Sequence, residues 1–195
     1  MPKDPDLTKV RVINSVCRAL TLGDREQASA IARAEYPFAP ASNAGRGYSE
    51  YQKTQTFARD GFVDRYSGAR LIFPGTLRLL STVMPEEFPT HPNWKMSECH
   101  DAYWELSATI DHVVPVARGG SDDLSNWVTT SQRNNSAKAN STLEELGWSL
   151  QPPGRREEWD GLIRWFVTYT EQHSALVRTE YLRRWRAAAV RVLAG

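Results

Sequence analysis

Apolar positions near the start of the chain, Leu7, Val10, Val12, Ile13, Cys17, Leu20 and Leu22, fall in a partial helical stripe. The pattern predicts two helices over residues 6–36, with Thr21-Leu22-Gly23-Asp24 ending the first and capping the second. Cys17 on this stripe reads as a small buried hydrophobe. Residues 37–47, built of Pro, Ala, Ser, Asn and Gly, read as a connector. The period changes at Thr109 to Pro115, a β-branched run expected to be a short strand, which Arg118-Gly119-Gly120-Ser121 breaks. Asn126 to Thr130 reads as a second strand. Ser131 is then placed to cap a helix on which Asn135 and Lys138, at i and i+3, share a face.

The flanks are helical. Residues 85–107 read as an insertion, turn-rich from Phe88 to Trp94 and helical over Glu98 to Leu106. Thr142 with Glu145 three residues on forms a capping box. Pro152-Pro153-Gly154 interrupts that helix, and Arg155 to Ala194 follows as one bent helix or two packed ones. Trp159, Trp165, Phe166 and Tyr169 lie at helical spacings and are expected to pack in a core or interface. Trp185, amid the terminal arginines, is open to packing or to stacking on a nucleic-acid base. The resulting division is 1–47, 48–140 and 141–195. No internal repeat or low-complexity tract is found.

Strand, loop, strand and helix together bring Asp111, His112, Asn126 and Asn135 into one neighbourhood. Asn126 follows His112 by fourteen residues and Asn135 follows Asn126 by nine, opening an Asn-x-x-Lys step. At these residues the chain resembles the HNH nucleases, the ββα-metal finger endonucleases. The resemblance is tight over about 30 residues and extends loosely upstream to Arg59-Asp60-Gly61-Phe62. It implies an α+β fold, a ββα-metal HNH core with N- and C-terminal helical extensions. It also implies Asp111 and Asn135 as metal ligands, His112 as general base and Asn126 as a positioning residue.

The residue types suit the chemistry. Neutral imidazole can take a proton from water near neutral pH. A carboxylate with an amide carbonyl is an all-oxygen site that suits Mg²⁺ or Mn²⁺. Lys138 and Arg118 are placed to touch phosphates. Adjacent residues on a regular strand point to opposite faces, so bringing Asp111 and His112 to one phosphate calls for a bulge or distortion.

Many members of that family carry two Cys-x-x-Cys pairs around a structural zinc. Here Asp64 and Ser67, then Ser131 and Asn134, stand in the corresponding places, so no structural zinc is expected. Asp64 is expected to pair with an arginine, and Ser67 and Ser131 to hydrogen-bond across the hairpin. Cys99, near His91 and His100, is at most a stray metal site.

Charge and composition adjust this picture modestly. With 24 Lys and Arg against 23 Asp and Glu, the net charge of +1 is low for a protein relying on nonspecific attraction to DNA. Residues 171–195 nevertheless carry five arginines against two glutamates. Arg183, Arg184 and Arg186 are therefore candidate phosphate contacts, against a solvated helix face or a dimer surface. Two cysteines, a charged start at Met1 to Asp6 and no apolar run near 18 residues read as a cytoplasmic protein without a membrane span. The sequence reads as an HNH endonuclease cutting double-stranded DNA, with a homodimer in view. The alternative is a non-catalytic nucleic-acid-binding module that retains the same shape.

Overall fold

The computed structural model describes residues 7–37 and 47–195. Most of the expected connector and the charged first residues lie outside them. Two units are described, each by itself, divided between residues 46 and 47.

The first unit is a helical pair, α1 (Leu7–Thr21) and α2 (Arg25–Glu35). Gly23 takes a φ of +78°, and the Asp24 side chain accepts from Gln27 N at 2.8 Å, so the turn and cap form as expected. The buried face differs from the expected stripe. Val12, Ala19 and Ala28 are buried, while Val10, Ile13, Leu20 and Leu22 are exposed. Cys17 is exposed too, contrary to its reading as a buried hydrophobe. Val12 and Ala19 share a face two turns apart, and Cys17 sits about 140° around the helix from Val12.

The second unit holds the strands. Helices α3 (Glu50–Arg59) and α4 (Pro74–Val83) precede them, with a one-turn helix α5 (Ala102–Glu105) just before β1 (Ala108–His112). Then come β2 (Trp127–Ser131), α6 (Gln132–Lys138), the short α7 (Leu143–Leu146), α8 (Ile163–Gln172) and α9 (Glu180–Ala194). The strands pair antiparallel from Ala108 opposite Ser131 to His112 opposite Trp127.

Phe57, Phe62, Leu71, Phe73, Ile163, Phe166 and Leu182 form a fully buried core behind this hairpin. Trp185 belongs to it, stacked on Phe57 at 6.3 Å and edge-on to Phe73 at 5.2 Å, which decides for packing over base stacking. Phe166 is buried as expected, whereas Trp165 is exposed and stacks on Tyr169. The region from Arg155 resolves into two helices, the first starting only at Ile163. The expected helix over 98–106 is reduced to a 3₁₀ turn and α5.

Two buried carboxylates tie the hairpin to this scaffold. Asp60 takes Arg59 Nε at 2.9 Å and Arg65 Nη1 at 3.0 Å on one oxygen, and Thr129 N of β2 at 2.8 Å on the other. Arg59 continues to the carbonyls of Leu124 (2.8 Å) and Trp127 (2.6 Å), fastening the loop between the strands to α3.

Asp64, fully buried, accepts from Tyr66 N, Ser67 N and Thr130 Oγ1 on one oxygen and from Ser131 N and Asn134 Nδ2 on the other. It thereby connects the two places where the zinc pairs would lie. The partner expected for Asp64 was an arginine; the arginines go to Asp60 instead. Ser67 and Ser131 meet through Asp64, with Ser131 Oγ capping α6 by accepting from Asn134 N.

Candidate active site

The end of β1 presents Asp111 and His112, both 8% exposed. The strand register is regular and carries no bulge. The two side chains accordingly leave for different partners, as the pleat dictates.

Asp111 Oδ2 accepts from the Tyr66 hydroxyl at 2.6 Å and lies 2.9 Å from Lys138 Nζ. Burial, and next the Asp111 charge, push the Tyr66 hydroxyl well above the usual phenol range, so it stays a donor to the carboxylate. Lys138 is fully buried. Its ammonium also donates to the His112 carbonyl oxygen at 2.7 Å and lies over the Tyr66 ring. The candidate phosphate contact is turned inward by α6, where Asp111 compensates its charge. Lys138 is thus what joins the two neighbouring residues, through the side chain of one and the backbone of the other. One turn earlier on α6, Asn135 Nδ2 donates weakly to Ile110 O at 3.4 Å, which directs the amide to β1.

His112 Nε2 sits 2.8 Å from Asp122 Oδ1. The same carboxylate oxygen accepts from the Tyr48 hydroxyl at 2.6 Å and from Trp127 Nε1 at 3.2 Å. Tyr48 packs edge-on against Trp127 at 4.7 Å, so the imidazole is bounded by two aromatic rings and one carboxylate. The Tyr48 hydroxyl, followed by His112, holds the Asp122 carboxyl below its ordinary range.

Asn126 closes the loop like a piece of backbone. Its Nδ2 donates to Val114 O and Ser121 O, each at 2.8 Å, and its Oδ1 accepts from Val114 N at 2.9 Å. Gly120 makes this possible, since a Cβ there would fall 1.9 Å from Val114 O and 2.8 Å from Asn126 Nδ2.

The candidate phosphate contacts are dispersed. Arg118 pairs with Glu145 at 3.3 Å. Arg183 donates to Arg178 O, Arg184 pairs with Glu50 at 2.9 Å, and Arg186 donates to Thr170 Oγ1. Arg184 lines a cleft of about 510 Å³ with Lys53, Trp94 and Trp104; Asp111, His112, Asn126 and Asn135 do not line it. Those four residues lie at the end of β1, just before β2 and on α6.

Sequence reasoning missed Tyr48, Tyr66 and Asp122. Asp122 had a signal, being a carboxylate in the loop between His112 and Asn126, although Asp123 beside it was an equal candidate; Asp123 instead caps its own turn at Ser125. Tyr48 and Tyr66 carry no local pattern.

As cation ligands, Asp111 and Asn135 supply hard oxygens only. With Asp111 Oδ2 committed to Tyr66 and Lys138, its Oδ1 and the Asn135 carbonyl are the oxygens that would remain to hold a cation. Such a sparse set fits Mg²⁺, which keeps several waters and takes phosphate oxygens as ligands. Among the described residues no group of three or more His, Cys, Asp or Glu side chains converges as a metal site, the neighbourhood of Cys99 included. No helix among the described residues is long and apolar enough to cross a membrane.

The model of the HNH endonuclease family matches residues 102–143. No curated protein and no solved structure matches the chain. The matched segment contains both strands, the loop and α6, with Asp111, His112, Asn126 and Asn135 inside it. It supports an HNH assignment for this part of the chain, and with it endonuclease activity and a nucleic-acid substrate in general terms.

Proposed function

We propose that this protein is a metal-dependent endonuclease that hydrolyses phosphodiester bonds of double-stranded DNA, as a restriction or phage-related enzyme. The observation that carries the proposal is the pairing, at one strand end, of a carboxylate with an imidazole, inside a segment that matches the HNH endonuclease family. Asp111 and Asn135 would hold Mg²⁺ or Mn²⁺, which when bound supplies Lewis-acid stabilisation of charge on the phosphate and the leaving oxygen. His112 takes the proton of the attacking water. Asn126 holds the loop from Val114 to Ser121 in place so that His112 keeps one orientation. Lys138 fixes Asp111 against β1 from within, rather than touching DNA. Cleavage yields 5′-phosphate and 3′-hydroxyl ends. Arg118, Arg183 and Arg184, on the surface, are the side chains placed to meet the DNA backbone, and a dimer would let two sites serve two strands.

The test is incubation of the purified protein with supercoiled plasmid, with and without Mg²⁺, beside His112→Ala. Nicked or linear product that requires both Mg²⁺ and His112 supports the proposal. A parent protein that binds DNA without cutting it would favour a binding module; the burial of Asp111 against Lys138, which weakens its hold on a cation, is the observation on that side.

A further inference from the structure

The hydrogen positions around His112 are constrained by its neighbours. Asp122 Oδ1 lies 2.8 Å from His112 Nε2, and a carboxylate has only lone pairs to offer. If Nε2 were also unprotonated, two lone pairs would face each other at that distance. A proton on Nε2, donated to Asp122, relieves this contact. The Trp127 indole N–H lies between two acceptors, 3.1 Å from Nε2 and 3.2 Å from Asp122 Oδ1, and the Tyr48 hydroxyl is 3.3 Å from Nε2; with Nε2 protonated, Asp122 is the acceptor left to both. The Tyr48 hydroxyl also donates to that oxygen. In that arrangement three donors converge on one Asp122 oxygen, with the Asp122 side chain 40% exposed at its edge.

We infer that Asp122 is a positioning residue for the proposed nuclease reaction: it locks His112 in the Nε2–H tautomer, so that Nδ1 is the atom that accepts the proton from water. This inference rests on His112 acting as the base. In the step, a water O–H proton passes to the Nδ1 lone pair, giving an imidazolium whose Nε2–H stays on Asp122. The water oxygen forms the new bond to phosphorus as the bond from phosphorus to the 3′ oxygen breaks. That oxygen keeps the bonding pair and takes a proton from solvent, and His112 later returns its proton to solvent. Asp122 stays ionised throughout, as the Ser–His–Asp systems illustrate for a carboxylate that orients an imidazole without receiving its proton.

Asp122→Asn tests the idea because it keeps size and hydrogen-bonding capacity at a partly exposed position. An amide can either accept from Nε2–H or donate its NH₂ to an unprotonated Nε2, so it no longer dictates the tautomer. The nitrogen NMR spectrum of ¹⁵N-histidine-labelled protein, with His112 assigned through His112→Ala, should show Nε2 protonated in the parent and a mixed or reversed pattern in Asp122→Asn. With DNA affinity in Ca²⁺ unchanged, cleavage by Asp122→Asn should fall about 10- to 100-fold, less than the roughly 10²–10⁴-fold expected on losing the base itself. Tyr48→Phe, which removes one donor to Asp122 and leaves the carboxylate, should lose less. A parent spectrum with Nδ1 protonated overturns the inference. So does a switched tautomer in Asp122→Asn that cleaves at the parent rate. The spectra need no activity, so a parent with the Nε2–H tautomer and no cleavage would reject the nuclease reading and the catalytic role with it, while leaving the tautomer assignment standing.

Discussion

Replacing Asp64 by alanine is expected to destabilise the second unit by about 3–5 kcal/mol, the scale of breaking a buried charge network. Its carboxylate is fully buried and accepts five hydrogen bonds, from Tyr66 N, Ser67 N, Thr130 Oγ1, Ser131 N and Asn134 Nδ2. The amides of Tyr66 and Ser131 are held by the backbone and cannot turn away, so each becomes a buried orphan costing about 1–3 kcal/mol. The Thr130 hydroxyl and the Asn134 amide can reorient, and each loses only about 0.5–1.5 kcal/mol. Removing a buried anion returns part of its desolvation cost, which brings the sum down to the stated range. Asp64→Asn keeps the shape but points an NH₂ at donors, so it should lose about 2–4 kcal/mol rather than rescue. Urea unfolding reads both through the midpoint at unchanged slope. A strong chelator should leave the parent's midpoint where it is, because Asp64 occupies the junction that thiolates and zinc would otherwise fill. A loss below about 1 kcal/mol for both variants would refute the reasoning, since no pair of buried amides could then have been stranded.

Other expectations follow from single contacts. Gly120→Ala places a Cβ 1.9 Å from Val114 O, so the loop must open, at about 1–3 kcal/mol and with a lower cleavage rate; equal stability and rate in melts and plasmid assays would contradict this. Lys138→Met leaves Asp111 with Tyr66 alone, so the variant's melting temperature should rise with Mg²⁺ by more than the parent's does. A variant indifferent to Mg²⁺ would argue against Asp111 as a cation ligand. Changing Arg183, Arg184 and Arg186 together to Ala should reduce the salt slope of DNA binding by about one or two contacts' worth, not three, because Arg186 is turned to Thr170. An unchanged slope would assign that helix face to packing and solvent.

The hairpin was legible because its signals are local. Gly119-Gly120, the β-branched run before it and Ser131 as a cap each act over a few residues, and the strands came out within a residue or so at most edges. Helix α3 was not foreseen. Its buried face is made of Thr54, Thr56, Phe57 and Ala58, which gives no hydrophobic stripe, although the Ser49–Gln52 capping box was there to be read. The burial of Lys138 was not legible because it depends on a carboxylate and a ring from elsewhere in the chain, Asp111 and Tyr66. Asp111 and His112 became candidates through the motif that resembles the HNH nucleases, whereas the contact of Asp122 with His112 depends on which way the loop folds back. Long-range polar nodes such as Asp60 and Asp64 leave no periodic trace, and only tertiary structure shows what they hold.

The central claim is that Asp111 and Asn135 hold the cation while His112 moves the proton. Cleavage rate against Mg²⁺ concentration, with DNA affinity measured in Ca²⁺, separates these roles. His112→Ala should bind DNA normally and keep the parent's Mg²⁺ midpoint, with a rate lower by roughly 10²–10⁴-fold. Asp111→Ala should lose cleavage or demand far more Mg²⁺, and Asn135→Ala should shift the same way more mildly, since a neutral amide holds a cation less strongly than a carboxylate. If His112→Ala cleaves at the parent rate, or Asp111→Ala keeps the parent's Mg²⁺ dependence, the assignment of base or cation site is contradicted.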